Sequence, residues 1–136
     1  MIEIKNGEQI DRMAAACEVA GLLLKELHSF IEPGMSTKDI DRKVESFITG
    51  HGQVPAFKGY DGFPGSACVS VNEEIIHGIP SKSRKLKEGD LVKVDLGTIF
   101  KGYYSDCART YPVGNVTEEN ARLIKVAEES FFEGIK

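Results

Sequence analysis

The chain has 136 residues, with 17 Lys+Arg against 21 Asp+Glu, a net charge of −4 and 41% hydrophobic residues. That profile describes one soluble globular domain, residues 1–136, large enough to bury a core without disulfides. The acidic balance gives no electrostatic case for nucleic acid or an anionic membrane. The longest apolar run, Ala20-Gly21-Leu22-Leu23-Leu24, falls far short of the ~20 residues that a membrane span takes. Met1-Ile2-Glu3-Ile4-Lys5 lacks the basic start and apolar stretch of a secretory signal. Cys17, Cys68 and Cys107 form an odd set without a CxxC pair, which reads as reduced thiols and a cytoplasmic setting.

In chain order, residues 7 to 31 read as a long amphipathic helix. Ile10, Met13, Ala14, Cys17, Ala20, Leu24, Leu27 and Ile31 recur at steps of three and four, and Pro33-Gly34 stops the pattern. Ser36 or Thr37 caps a second helix carrying Ile40, Val44, Phe47 and Ile48, which Gly50 or Gly52 ends. Glycines and Pro64 then crowd a loop from Gly59 to Gly65 between extended pieces predicted at Val54–Phe57, Ala67–Val71 and Ile75–Ile79. After a basic connection, strands are predicted at Leu91–Phe100 and Tyr103–Val113, joined by a tight turn at Lys101-Gly102. Thr117 caps a last helix that carries Ala121, Ile124, Val126, Ala127 and Phe131. Helices, then antiparallel strands, then a helix make an α+β domain.

Two aspartates stand where a strand disfavours them. Asp95 interrupts the run Leu91-Val92-Lys93-Val94-Asp95-Leu96, and Asp106 lies in the partner Tyr103-Tyr104-Ser105-Asp106-Cys107-Ala108. Across a hairpin with an even-numbered loop, residues whose numbers differ by an odd amount share a face. Both carboxylates then point to one side, directly or diagonally opposed. Two ionised carboxylates ~5 Å apart repel by roughly 3 kcal/mol at an effective dielectric of 20. A shared proton or a hard cation relieves that repulsion; the plainer reading puts one Asp on a solvated edge and the other in a turn. His77, between Ile76 and Gly78-Ile79-Pro80, stands at the end of an extended piece, where most histidines are structural. Glu73 and Glu74 read as solvated turn residues. His28 and His51 fall in helical stretches and take no role. The glycine-rich loop lacks the GxxxxGK[ST] order of a phosphate loop.

Taken in order, these segments resemble the type I methionine aminopeptidases. The resemblance is carried by Val54-Pro55-Ala56-Phe57-Lys58-Gly59-Tyr60-Asp61-Gly62-Phe63-Pro64-Gly65-Ser66-Ala67-Cys68, by Asn72-Glu73 followed by His77-Gly78-Ile79-Pro80, and by Lys87 to Gly97 with Tyr103 to Gly114. It extends over essentially the whole chain. It implies the N-terminal half of a pita-bread fold and removal of the initiator methionine from nascent proteins. It also implies divalent metal ions (Co, Mn, Fe or Zn), two per complete site. By the same resemblance Asp95 matches a bidentate metal ligand and Asp106 a carboxylate bridging two metals. His77 matches the histidine that contacts the substrate and stabilises the tetrahedral intermediate. Tyr60, Phe63 and Cys68 match the walls of the pocket for the methionine side chain, with Phe57 on its rim. Some relatives carry tyrosine at the position of Phe63; phenylalanine here is expected to keep the apolar wall and lose the hydroxyl.

The family completes its metal site with one histidine and two glutamates from a second half, and no residue of this sequence matches those positions. The 136 residues alone are therefore expected to be inactive or very weak. An open sheet edge makes a weak homodimer of the half-domain the expected partner state, against a monomer with a frayed third helix. Two alternatives remain: a non-catalytic binding module of the same fold, and a proline-specific peptidase. Retention of both aspartates favours an enzyme, and the short Phe57–Cys68 segment favours methionine over proline.

Overall fold

A computed structural model describes residues 2–136. Helix α1 spans Gly7–Phe30 and opens on a reciprocal cap: Asn6 Oδ1 accepts the Gln9 N–H, and Gln9 Oε1 accepts the Asn6 N–H. Helix α2, Thr37–Gly50, opens the same way with Ser36 and Asp39. Four strands follow, β1 (Val54–Pro55), β2 (Ala67–Val71), β3 (Leu91–Phe100) and β4 (Tyr103–Pro112), and then helix α3 (Glu118–Gly134), capped by Thr117.

The sheet is antiparallel throughout, with β3 at its centre. β4 pairs along its full length on one side, while β2 and the short β1 share the other. Both α1 and α2 lie on one face. Period-two alternation along β3 sends Val92, Val94, Leu96 and Thr98 into that layer. There they meet Leu23 and Leu27 of α1 and Ile40, Val44 and Ile48 of α2. Each such side chain contributes about 1.5–3 kcal/mol of burial. Two polar pins fix α1 on the sheet: Thr98 Oγ1 donates to the Ala16 carbonyl at 3.1 Å, and the Tyr111 hydroxyl donates to the Leu24 carbonyl at 2.7 Å.

The structure departs from the sequence expectations in four places. The buried stripe of α1 is Ala16, Ala20, Leu23 and Leu27, so Ile10, Ala14 and Cys17 are turned to solvent; small alanines face the sheet because the Thr98 pin holds the helix backbone close. β1 is two residues long, since Ala56 N–H bonds Gly97 and the chain then turns away. Ile75–Ile79 forms no strand. Positive φ at Asn72 (52°) and His77 (58°) bends the segment into turns, and its three isoleucines are exposed. Finally, α3 buries none of its residues. Among the described residues no helix is long and apolar enough to cross a membrane.

Candidate active site

The face of the sheet opposite α1 and α2 carries the unusual residues. The β3–β4 turn has two residues, Lys101 (φ 47°) and Gly102 (φ 81°), between the paired Phe100 and Tyr103. Left-handed conformation at both positions is what the right-handed twist of a two-residue hairpin requires. This even loop sets the register: Asp95 lies opposite Ala108, and Asp106 lies opposite Gly97. The aspartates are therefore diagonal neighbours on one face. On the other side of β3, Cys68 pairs with Asp95, so Asp106, Asp95 and Cys68 cross three strands in a row.

Electrostatics show that these groups meet. The Asp95 carboxyl is held above its ordinary range, chiefly by burial, then by the negative charge of Asp106 and a hydrogen bond with it, while His77 pulls the other way. The same two carboxylates add to the burial that pushes the Cys68 thiol up to about 11. Cys68 is thus a neutral, polarisable thiol.

His77 stands on a segment laid against the outer side of β2. The Gly78 carbonyl accepts the Val69 N–H at 2.9 Å, and the Gly78 N–H donates to Ser70 Oγ at 3.0 Å. No side chain fits at Gly78, where a Cβ would stand 2.3 Å from the Val69 carbonyl oxygen. Asn72 closes the other end of the segment: its side chain accepts the Leu91 N–H and donates to Asp90. Glu74, expected to be a free turn residue, accepts the Val71 N–H at 2.7 Å.

The loop from Phe57 to Cys68 folds on itself through Gly59 N–H to Phe63 O (2.9 Å) and Phe63 N–H to Tyr60 O (2.8 Å). Phe57 and Phe63 are half-buried and Tyr60 is exposed. The Phe57 ring lies against Gly97, beside the position of Asp106. So the structure gathers Asp95, Asp106 and Cys68, with His77 and Phe57 at their margin; Tyr60 and Phe63 sit on the loop between Phe57 and Cys68. Two surface cavities, of about 350 and 420 Å³, lie elsewhere, beside the Gly102 turn and beneath α3. Ser70 fixes the His77 backbone together with Gly78; the glycine after the histidine stands out in the sequence, whereas nothing in the sequence singles out Ser70.

Facing carboxylate oxygens suit a divalent cation, which would cancel the repulsion that adds to burial in lifting Asp95. Among the described residues, no three His, Cys, Asp or Glu side chains converge on one point. Asp95 and Asp106 are the two carboxylates that share this face of the sheet.

Residues 11–136 match the family model described as metallopeptidase family M24. The chain is 51% identical over 136 residues to the methionine aminopeptidase of Clostridium acetobutylicum, covering all of this chain and 54% of that protein. It superposes on the crystal structure of the methionine aminopeptidase of Thermotoga maritima with a TM-score of 0.96 at 40% identity, over 100% of this chain and 55% of that one. On the prolidase of Pyrococcus furiosus the TM-score is 0.75 at 25% identity, over 93% of this chain and 36% of that one. The chain spans about half the length of the curated relatives it matches. With this α+β architecture, shared by aminopeptidase and prolidase structures of the pita-bread fold, the chain belongs to metallopeptidase family M24.

Proposed function

We propose that this chain forms part of a metal-dependent methionine aminopeptidase that releases the N-terminal methionine of peptides and nascent proteins. The observation that carries the reading is the diagonal pairing of Asp95 and Asp106 beside Cys68 on the open face of the sheet. Asp95 and Asp106 are the residues that would hold divalent metal (Mn, Fe, Co or Zn). Bound there, the metal supplies Lewis-acid polarisation of the scissile carbonyl and a water acidified toward neutrality.

The other residues position the substrate. Cys68, Phe63 and Tyr60 receive the methionine side chain, whose thioether favours apolar and polarisable neighbours. Phe57, packed on Gly97, stands on the rim of that pocket beside the carboxylates. His77, within electrostatic reach of Asp95, hydrogen-bonds the substrate amide and the charge that develops on its carbonyl.

The test is methionine release from a methionyl tripeptide by the full gene product that carries this sequence, supplied with Mn²⁺ or Co²⁺. Chelator-sensitive release supports the reading. Hydrolysis of X-Pro dipeptides without methionine release would replace it with a proline-specific peptidase, and absence of both activities with a binding module.

A further inference from the structure

Asp41 is a buried carboxylate that the chemistry above does not use. It lies one helical turn into α2 and is 1% exposed. Its Oδ1 accepts the backbone N–H groups of Ser66 (2.6 Å) and Ala67 (3.2 Å), and its Oδ2 takes Lys38 Nζ at 2.6 Å. Both amides belong to the junction where the Phe57–Gly65 loop enters β2, immediately before Cys68. The junction is tight. A Cβ on Gly65 would meet Asp41 Oδ1 at 3.0 Å and Pro80 Cδ at 3.1 Å. Thr37, one turn earlier on the same helix, exchanges hydrogen bonds with Ser81: its hydroxyl donates to the Ser81 carbonyl at 3.2 Å and accepts the Ser81 N–H at 2.9 Å. One helix end therefore grips the pocket loop through Asp41 and the chain just beyond the His77 segment through Thr37.

We infer that Asp41 is a positioning residue for substrate selection: its carboxylate fixes the Ser66-Ala67 backbone and so sets where Cys68 and the Tyr60–Phe63 loop stand relative to Asp95. Charge-assisted bonds to two successive amides are stronger and more directional than neutral ones, and burial shields them from competing water. Neutralising the carboxylate lets the loop drift. The side-chain pocket then loses its shape while the metal carboxylates, held by the β3–β4 ladder, keep theirs.

This inference rests on the aminopeptidase reading, and its test separates the two. In the full gene product, kcat/KM is measured on a methionyl and on an alanyl peptide, with Mn²⁺ affinity measured in parallel. Asp41→Asn is expected to lower the methionyl-to-alanyl preference roughly tenfold or more, mostly through KM, with Mn²⁺ affinity unchanged within about twofold. Hydrogen exchange at the Ser66 and Ala67 amides is expected to accelerate in the same variant. Lys38→Met, which removes the ion pair and leaves both amide bonds, should keep the preference. Gly65→Ala, which crowds the junction from the opposite side, should reproduce the Asp41→Asn effect and carries the test if Asp41→Asn fails to fold. Preference retained in Asp41→Asn or Gly65→Ala, or lost in proportion to Mn²⁺ affinity as general destabilisation would cause, overturns the inference. Wild-type protein that releases no methionine overturns the underlying reading instead.

Discussion

The Phe57 ring rests on the backbone of Gly97 so closely that one added methyl group would stand 3.0 Å from its Cε1 and 2.7 Å from the Ser105 carbonyl oxygen. Gly97 faces Asp106 across the ladder, so the absent side chain leaves room for the Phe57 ring beside the carboxylates. Gly97→Ala is therefore expected to destabilise the fold by about 1–3 kcal/mol through overpacking. It should also displace Phe57. Urea unfolding and the solvent exposure of a fluorinated Phe57 check both effects; unchanged stability with unchanged exposure would show that the contact is slack.

Gly78 gives a sharper case. A Cβ there collides with the Val69 carbonyl at 2.3 Å, so Gly78→Ala must push the His77 segment off β2. Methionine release by the full gene product is expected to fall by roughly two orders of magnitude, the size typical of misplaced catalytic groups. Circular dichroism should report a folded sheet. Activity close to wild type would remove His77 from the mechanism.

The carboxylate pair makes opposite predictions with and without metal. In chelator, Asp95→Asn removes one of two crowded negative charges and is expected to raise the melting temperature by a few degrees. With Mn²⁺ present, calorimetry should show at least a roughly tenfold loss of affinity in Asp95→Asn and in Asp106→Asn, since each deletes half of the described donor pair. A chelator-treated Asp95→Asn protein that melts below wild type would contradict the repulsion.

Asp39 governs acid behaviour at the start of α2. Its carboxyl is held below the ordinary carboxylate range by the hydrogen bond from the Ser36 hydroxyl, then by the bond from the Ser36 N–H, with smaller help from Lys85 and Arg42. A folded-state value below the unfolded one contributes stability above the ordinary value of 3.8, and that contribution is lost as pH falls through the lowered value. The melting-temperature gap between wild type and Asp39→Ala is therefore expected at pH 6 and should close below pH 4. A gap that persists at the lowest pH would locate the effect in packing.

Much of this arrangement was legible in the sequence, for physical reasons that differ by residue. Asp95 and Asp106 were placed on one face because a two-residue turn fixes hairpin parity, and parity fixes sidedness. Ser36 and Thr117 were legible because caps are local. The segment Ile75–Ile79 misled because its β-branched composition outweighs the positive φ at Asn72 and His77, which hydrogen bonds to Leu91, Val69 and Ser70 impose. Those partners lie in β2 and β3, and no short window of sequence contains them. Asp41 was missed for a related reason: among the charges of α2 it resembles a solvated residue until the Ser66 and Ala67 amides arrive, 25 and 26 positions later.

All five residues of β2 are buried, although the strand belongs to a sheet with helices on one face only. Gly78 covers its outer edge, within the long excursion that leaves β2 at Val71 and returns at Leu91. The β3–β4 hairpin closes through two residues and forms from local contacts, whereas β2 docks only after that excursion has paid its loop-closure entropy. The two aspartates are thus expected to pair early in folding, and the histidine-bearing cover to arrive late. Substitutions in the cover, Gly78→Ala among them, should quicken the unfolding arm of a chevron and leave the refolding arm nearly unmoved. A segment expected to assemble last is also the one expected to open most readily from the native state.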